Sequence, residues 1–379
     1  MLKFLLLAII ILPNLLACSQ RTEEVITLPA PQTALHAESA SPPQSQVVAQ
    51  PPASTDKKLI SIIGVGDMML GSNYPAEKYL PPNDGKDILK DVQDILQDAD
   101  ITFGNLEGCI LDSGGVTAKV GCKMCFAFRM PEKYAENLRP AGFDVVNIAN
   151  NHIRDFGTAG TDNTLKMLKE WGIQTAGLEN VPTVTFEKNG VKYGFAGFAP
   201  NHGTNSLSDI AAAQQMVRDL KKVSDIVIIS FHAGAEGSNH QHVTRKPEVF
   251  YGESRGNVYE FAHAVIDAGA DVVFGHGPHV TRAVEVYKDR FIAYSLGNFA
   301  TYALFNLKGP TQLAPLMKVF VDKTGKFAHA EITPIIQLGK GIPTVDPQKR
   351  VISLIRELTQ ADFPESKLKI DDKGHISQL

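Results

Sequence analysis

Short, largely apolar runs separated by amphipathic stretches are the feature that most narrows what this chain can fold into. Residues 59–66, 101–104, 145–149, 226–231 and 272–275 are such runs. Between and around them, residues 88–97, 131–138, 161–171, 208–223 and 258–268 repeat apolar side chains at helical spacing. Pro131-Glu132 suits a first helical turn, Ser208 a cap, and Gly172 and Gly269 stop signals. Further strands are expected at 193–198 and 291–294, and an antiparallel pair at 317–321 and 328–335 about Thr324-Gly325. Residues 348–359 read as a last helix, and 371–379 as a polar, loose end. Alternating strands and helices define an α/β architecture.

Each run releases polar side chains at the same end. Asp67 follows the first, Asn105 and Glu107 the second, and Asn150, Asn151 and His152 the third. His232 follows the fourth, His276 and His279 the fifth. Ligands of α/β sheets bind outside the carboxyl ends of strands, so five segments predict one shared site. Singly, each has a plainer reading: Asp67 a turn cap, Asn105 a turn residue, Glu107 a solvated loop acid, Asn150 and Asn151 turn asparagines beside a capping histidine. Two imidazoles flanking Gly277-Pro278, with His232 besides, favour a common centre. Asp155, three residues after His152, is placed to orient that ring. Glu236, four after His232, is a candidate supporting carboxylate or substrate contact, whereas His240 and His242 lie in a polar, solvated loop. Mixed imidazole, carboxylate and amide ligands suit Mn, Fe or Zn better than Ca. Two divalent ions about 4 Å apart would clamp both sides of a displacement.

The stretches Gly66-Asp67-Met68-Met69-Leu70-Gly71, Asn105-Leu106-Glu107-Gly108, Ala149-Asn150-Asn151-His152 with Asp155-Phe156-Gly157, Phe231-His232-Ala233-Gly234-Ala235-Glu236, Gly275-His276-Gly277-Pro278-His279 and Ser295-Leu296-Gly297-Asn298-Phe299 occur in this order. As a set they resemble the CapA family of poly-γ-glutamate capsule biosynthesis proteins, within the calcineurin-like metallophosphoesterase superfamily. The resemblance covers residues 59–301. It implies a four-layer α/β/β/α metallophosphoesterase-like sandwich with a two-metal site. It further implies Asp67, Glu107, Asn151, His232, His276 and His279 as metal ligands and His152 as proton donor, with Asn105 a lesser ligand. Two departures from the wider superfamily, both typical of CapA-like chains, are Met69 in place of a histidine and the Gly277-Pro278 insertion between the final histidines. The implied function is a metal-dependent hydrolase or transferase acting on an envelope polymer of the poly-γ-glutamate type. A phosphoesterase with an unrelated substrate is one alternative. A non-catalytic, lipid-tethered accessory subunit of a polymer synthase or exporter is the other.

The first eighteen residues form a separate segment. A Lys3-bearing start, an apolar run too short to span a bilayer, and Leu15-Leu16-Ala17-Cys18 make a secretory signal resembling a lipobox, with Cys18 the lipidated residue. A plain signal peptide or an uncleaved anchor is the alternative. Residues 19–58, rich in Pro, Ser, Ala and Gln, are expected to be a disordered tether. Residues 59–362 form the catalytic-type domain and 363–379 a polar tail. The expected location is the cell envelope, on the membrane through the lipid; Ser19 resembles an outer-membrane sorting signal if the source is Gram-negative. Among Cys109, Cys122 and Cys125, one disulfide is expected ahead of a zinc site, and a redox motif last. A net charge of −4 without a basic stripe argues against nucleic acid as a partner.

Overall fold

Alternation along the apolar strands decides the architecture. A computed structural model of the chain describes residues 59–119 and 126–379. The chain divides into two units at residue 55, and the description concerns the second. Within strand Ile226–His232, Ile226 and Ile228 face one apolar cluster while Val227, Ile229 and Phe231 face another. In Val272–His276, Val272 and Phe274 likewise join the first cluster and Val273 the second. Side chains of a strand alternate faces, so a run apolar at every position must be covered on both sides.

The shared cluster lies between two sheets. It also takes Ile60 and Ile62 from strand Ile60–Met69 and Ile101 and Phe103 from Ile101–Leu106. Those strands belong to a ten-stranded sheet, and Ile226–His232 and Val272–His276 to a six-stranded one. Phe103 stacks on Phe274 across the interface, with ring centroids 5.4 Å apart. Gly64 makes room for this, since a Cβ there would come within 2.6 Å of the Phe274 ring. On the outer face of the larger sheet, Ile63 and Val65 pack with Leu168 of helix Gly157–Glu170. On the outer face of the smaller one lie helices Ile210–Val223 and Val258–Ala268. The result is a four-layer α/β/β/α sandwich.

Strand Ile60–Met69 sits in the middle of the larger sheet. It runs parallel to Ile101–Leu106 and Asn298–Thr301 and antiparallel to Leu313–Val321. Val145–Asn147 and Gln174–Ala176 continue the parallel side. The expected antiparallel pair is Leu313–Val321 with Phe327–Leu338.

Four local expectations are corrected. Helix Ile210–Val223 is capped by Asp209, whose Oδ1 accepts from Ala212 N at 3.0 Å, and not by Ser208. The periodic stretch 88–97 yields only a 3₁₀ turn, Lys90–Val92, and one short helix, Gln93–Leu96. Its apolar Ile88, Leu89, Val92 and Leu96 are all buried against the outer face, so packing satisfies them without a long helix. Stretch 131–138 divides into helix Glu132–Ala135 and 3₁₀ turn Glu136–Leu138. The polar end is an ordered edge: Leu368–Ile370 pairs with His375–Gln378, and Ile376 faces Ala330 of the larger sheet. Ile370 and Ile376 are buried while their neighbours are solvated, a half-exposed pattern that composition alone reads as a tail.

Cys109 is a free thiol, buried, and burial pushes its pKa up to about 12. Cys122 and Cys125, Cys18 and the segment 19–58 lie outside the described residues.

Candidate metal centre

Strand register brings the predicted side chains into two facing rows. In the larger sheet Asp67 is the partner of both Asn105 and Asn298, and Asn105 of Asn147. In the smaller sheet His232 is the partner of His276. The ladder on both sides of Asp67 is irregular, with register shifts toward Ile101–Leu106 and toward Asn298–Thr301. Gly66 permits the tight approach here: a Cβ would fall 2.0 Å from Gly297 O, and Asp67 N donates to that oxygen at 2.8 Å.

The rows meet through side chains. Asn105 Nδ2 donates to Asp67 Oδ1 at 2.8 Å and lies 3.2 Å from His232 Nδ1. His279 Nδ1 lies 3.0 Å from both Asp67 Oδ2 and Asn298 Oδ1. His276 Nδ1 is 3.5 Å from Asp67 Oδ1, and His279 Nε2 is 3.6 Å from Glu107 Oε1. Ligand atoms of Asp67, Glu107 and His279 all fall within 4.8 Å of one another. Asn147 Nδ2 donates to Asn105 Oδ1 at 2.8 Å and so fixes that amide.

Several buried polar atoms here have no hydrogen-bond partner among the described residues: both carboxylate oxygens of Glu107, His232 Nε2 and both ring nitrogens of His276, and Asn151 Oδ1, next to His152, is likewise unpartnered. Buried polar atoms are normally satisfied, and each exception needs a cause. Those of Glu107, His232 and His276 belong to the cluster around Asp67 and His279, and all are metal-ligating types, which fits divalent cations held by oxygen and nitrogen. Burial pushes the Asp67 carboxyl up, but the imidazoles of His276 and His279 and the charges of His279 and His232 outweigh it and hold it below the usual carboxylate range. Burial pushes Glu107 well above that range. Burial pushes His232 well below the ordinary imidazole value. For His279 burial is overcome by Glu107 and Asp67, and its pKa rises to about 10.

His152 stands beside this cluster with Nε2 3.8 Å from Glu107 Oε1. Asp155 Oδ2 lies 2.8 Å from its Nδ1, as the spacing predicted, and also accepts from Phe128 N at 2.7 Å. With Nδ1 so engaged, Nε2 is the nitrogen turned to the cluster. Burial lowers the His152 pKa against the pull of Asp155. Asn150 supports the turn: its Nδ2 donates to Leu106 O at 2.9 Å and its Oδ1 accepts from His152 N at 3.0 Å.

Sequence reasoning assigned no role to several neighbours. Lys119 Nζ lies 2.6 Å from Asp155 Oδ1 and donates to Asn151 O at 3.0 Å. Phe128 stacks on His152 at 4.2 Å, and Phe305 meets both Phe128 and His279. Arg255 pairs with Glu236. Lys119, Phe128 and Phe305 come from loops and Arg255 from the strand Glu253–Gly256, with no local signal, whereas Asn298 and Glu236 lay in quoted motifs. His242, expected to be solvated, is mostly exposed but pairs with Asp362 at 2.7 Å.

Residues 61–303 match the family described as Bacterial capsule synthesis protein PGA_cap. The chain belongs to that family. Among PGA_cap relatives, it is 30% identical over 264 residues to the Capsule biosynthesis protein CapA of Bacillus anthracis, covering 64% of this chain and 60% of that one. It is 28% identical over 324 residues to the PGA biosynthesis protein CapA of Bacillus subtilis, covering 80% and 78%. The chain thus spans less than two thirds of the first relative's length. Among solved structures, the calcineurin-like phosphoesterase YfkN of Bacillus subtilis aligns with 14% identity over 81% of this chain and 99% of that one, at a TM-score of 0.42.

Proposed function

We propose that this PGA_cap protein is a metal-dependent hydrolase or transferase of the bacterial cell envelope, acting on a capsule polymer of the poly-γ-glutamate type. The observation that carries the reading is the grouping of Asp67, Glu107 and His279 ligand atoms within 4.8 Å, with buried atoms of Glu107, His232 and His276 that have no partner among the described residues. In this reading those side chains and Asn151 hold two divalent ions, Mn, Fe or Zn. Such ions would supply Lewis-acid activation of water and of the bond under attack. The chain's own residues do the rest. His152, its ring oriented by Asp155 and backed by Phe128, donates a proton from Nε2 to the departing oxygen or nitrogen. Asn105 and Asn298 hold the Asp67 and His279 side chains in place. Lys119 neutralises Asp155. Lipidation at Cys18 would keep the site at the membrane, at the end of the 19–58 tether.

A second reading is a non-catalytic accessory subunit of a polymer synthase or exporter. The relatives' names speak of biosynthesis and not of hydrolysis, which favours keeping it. One experiment separates the two. Full-length protein, His276→Ala and His152→Ala are purified with Mn in the buffer, then assayed for metal content and for cleavage of γ-linked polyglutamate. His276→Ala should lose metal, and His152→Ala should keep metal while turnover falls about 10²–10⁴-fold. Metal-free wild-type protein with no turnover would overturn the enzymatic reading. An equal loss of metal in both variants would overturn the division of roles.

A further inference from the structure

The loop that follows His232 carries one half of an ion pair that the mechanism above does not use. Arg255, on the strand Glu253–Gly256, has its side chain 5% exposed, and its guanidinium pairs with Glu236, whose side chain is 23% exposed. Arg255 is fixed from behind: Nε donates to Gly234 O at 3.2 Å, and its backbone oxygen accepts from Gly234 N at 2.9 Å. The ring of Phe250 lies 6.0 Å from its Cζ. The loop that carries Glu236 is tied to the metal-centre backbone, through Ala233 N to His276 O and Gly237 N to Pro278 O, both 2.8 Å. Charge reaches across the same gap: Glu236 acts on Glu107 and His279, and Arg255 on His232.

The pair is asymmetric. Its base is buried and anchored, whereas its acid is the member open to solvent. Swinging the Glu236 carboxylate outward would uncover a fixed guanidinium fork beside the reacting centre. Such a fork matches a carboxylate in bidentate fashion. Among the described residues, Lys119 is committed to Asp155, to Asn151 O and to the His152 ring. Glu253, the remaining acid near Arg255, stands 4.0 Å away and is 75% exposed, so it competes weakly.

We propose that Arg255 is the carboxylate-recognising residue of this site, and that Glu236 occupies its fork until a glutamyl α-carboxylate displaces it. The inference rests on the polymer reading above and sharpens it: the substrate bears a free carboxylate next to the bond under attack. Selectivity would then come from Arg255 and not from the metal ligands.

The test is binding, so that it does not depend on turnover. Full-length, Mn-loaded protein is titrated calorimetrically with γ-linked triglutamate and with the same peptide carrying α-carboxamides. Wild type should prefer the carboxylate form. Arg255→Met should abolish that preference, about tenfold or more, at unchanged metal content. Glu236→Gln, which removes the competing charge and keeps the shape, should tighten the carboxylate ligand several-fold and leave the carboxamide alone. An Arg255→Met protein that retains the preference, or a Glu236→Gln protein that binds triglutamate no better than wild type, overturns the proposal. So does a wild type that binds both peptides equally or neither. Binding preference without any metal-dependent turnover would instead sink the hydrolase reading and leave the recognition residue standing.

Discussion

Removing Arg282 should be among the most damaging single changes in the smaller half of the sandwich. Its side chain is fully buried, and it grips Glu248 with two bonds of 2.8 Å, Nη1 to Oε1 and Nη2 to Oε2. Nε donates to His240 O at 2.8 Å and Nη2 to Ala235 O at 3.2 Å, while Glu248 Oε2 also accepts from Ala235 N at 2.8 Å. Arg282→Met keeps most of the volume but strands a buried carboxylate and two backbone oxygens. Breaking a buried pair from one side costs about 3–5 kcal/mol. Glu248→Leu strands the guanidinium and should cost a similar amount. The double variant leaves no uncompensated charge, so only the loop hydrogen bonds are missing, at about 1 kcal/mol each. The sum of the singles should therefore exceed the double by about 2 kcal/mol or more. Urea unfolding of the four proteins, followed by far-ultraviolet circular dichroism, measures all terms. Strict additivity would refute the view that the two charges exist for each other. Because the pair pins the loop that carries Glu236, the single variants should also lose ligand preference before they lose metal.

Two further outcomes follow from the metal centre. Glu107→Gln should abolish stabilisation by added Mn, since it removes a carboxylate from the group formed with Asp67 and His279. Thermal melts with chelator and with MnCl2 check this, and a variant that Mn stabilises as much as wild type would contradict the reasoning. His152 titrates lower in the folded protein than its ordinary 6.5 because it is buried. The unfolded chain therefore takes up the proton first, so this residue's contribution is whole above pH 6.5 and is lost as pH falls below it. His152→Gln should flatten the fall in stability between about pH 7 and 5 relative to wild type. Identical slopes in chelator would count against a neutral, buried His152.

How much could be read before folding was known is visible strand by strand. The runs at 226–231 and 272–275 are apolar on both faces, Ser230 apart, because both faces are covered, and that pattern is local. Their polar endings are local too, so the strand-end residues of the centre were named, whereas Lys119, Phe128, Phe305 and Arg255 were not. Elsewhere the pattern misled. Residues 88–97 have helical periodicity but bury their apolar groups in a 3₁₀ turn and one short helix. Residues 368–378 look like a polar tail because few side chains turn inward: Ile370 and Ile376 are buried and Leu368 half-buried against the same core.

What the chain determines by itself is the set of donors and the end of each strand from which they project, since side-chain alternation and strand length are properties of neighbours in sequence. What only the tertiary structure decided is the company they keep. The pairing of His276 with His232, the Asp67 bridge to Asn105 and His279, the Lys119 support of Asp155 and the Glu236–Arg255 pair join positions from 19 to 212 residues apart. Such contacts depend on sheet register and on how two sheets stack, and neither leaves a trace in any short window of residues.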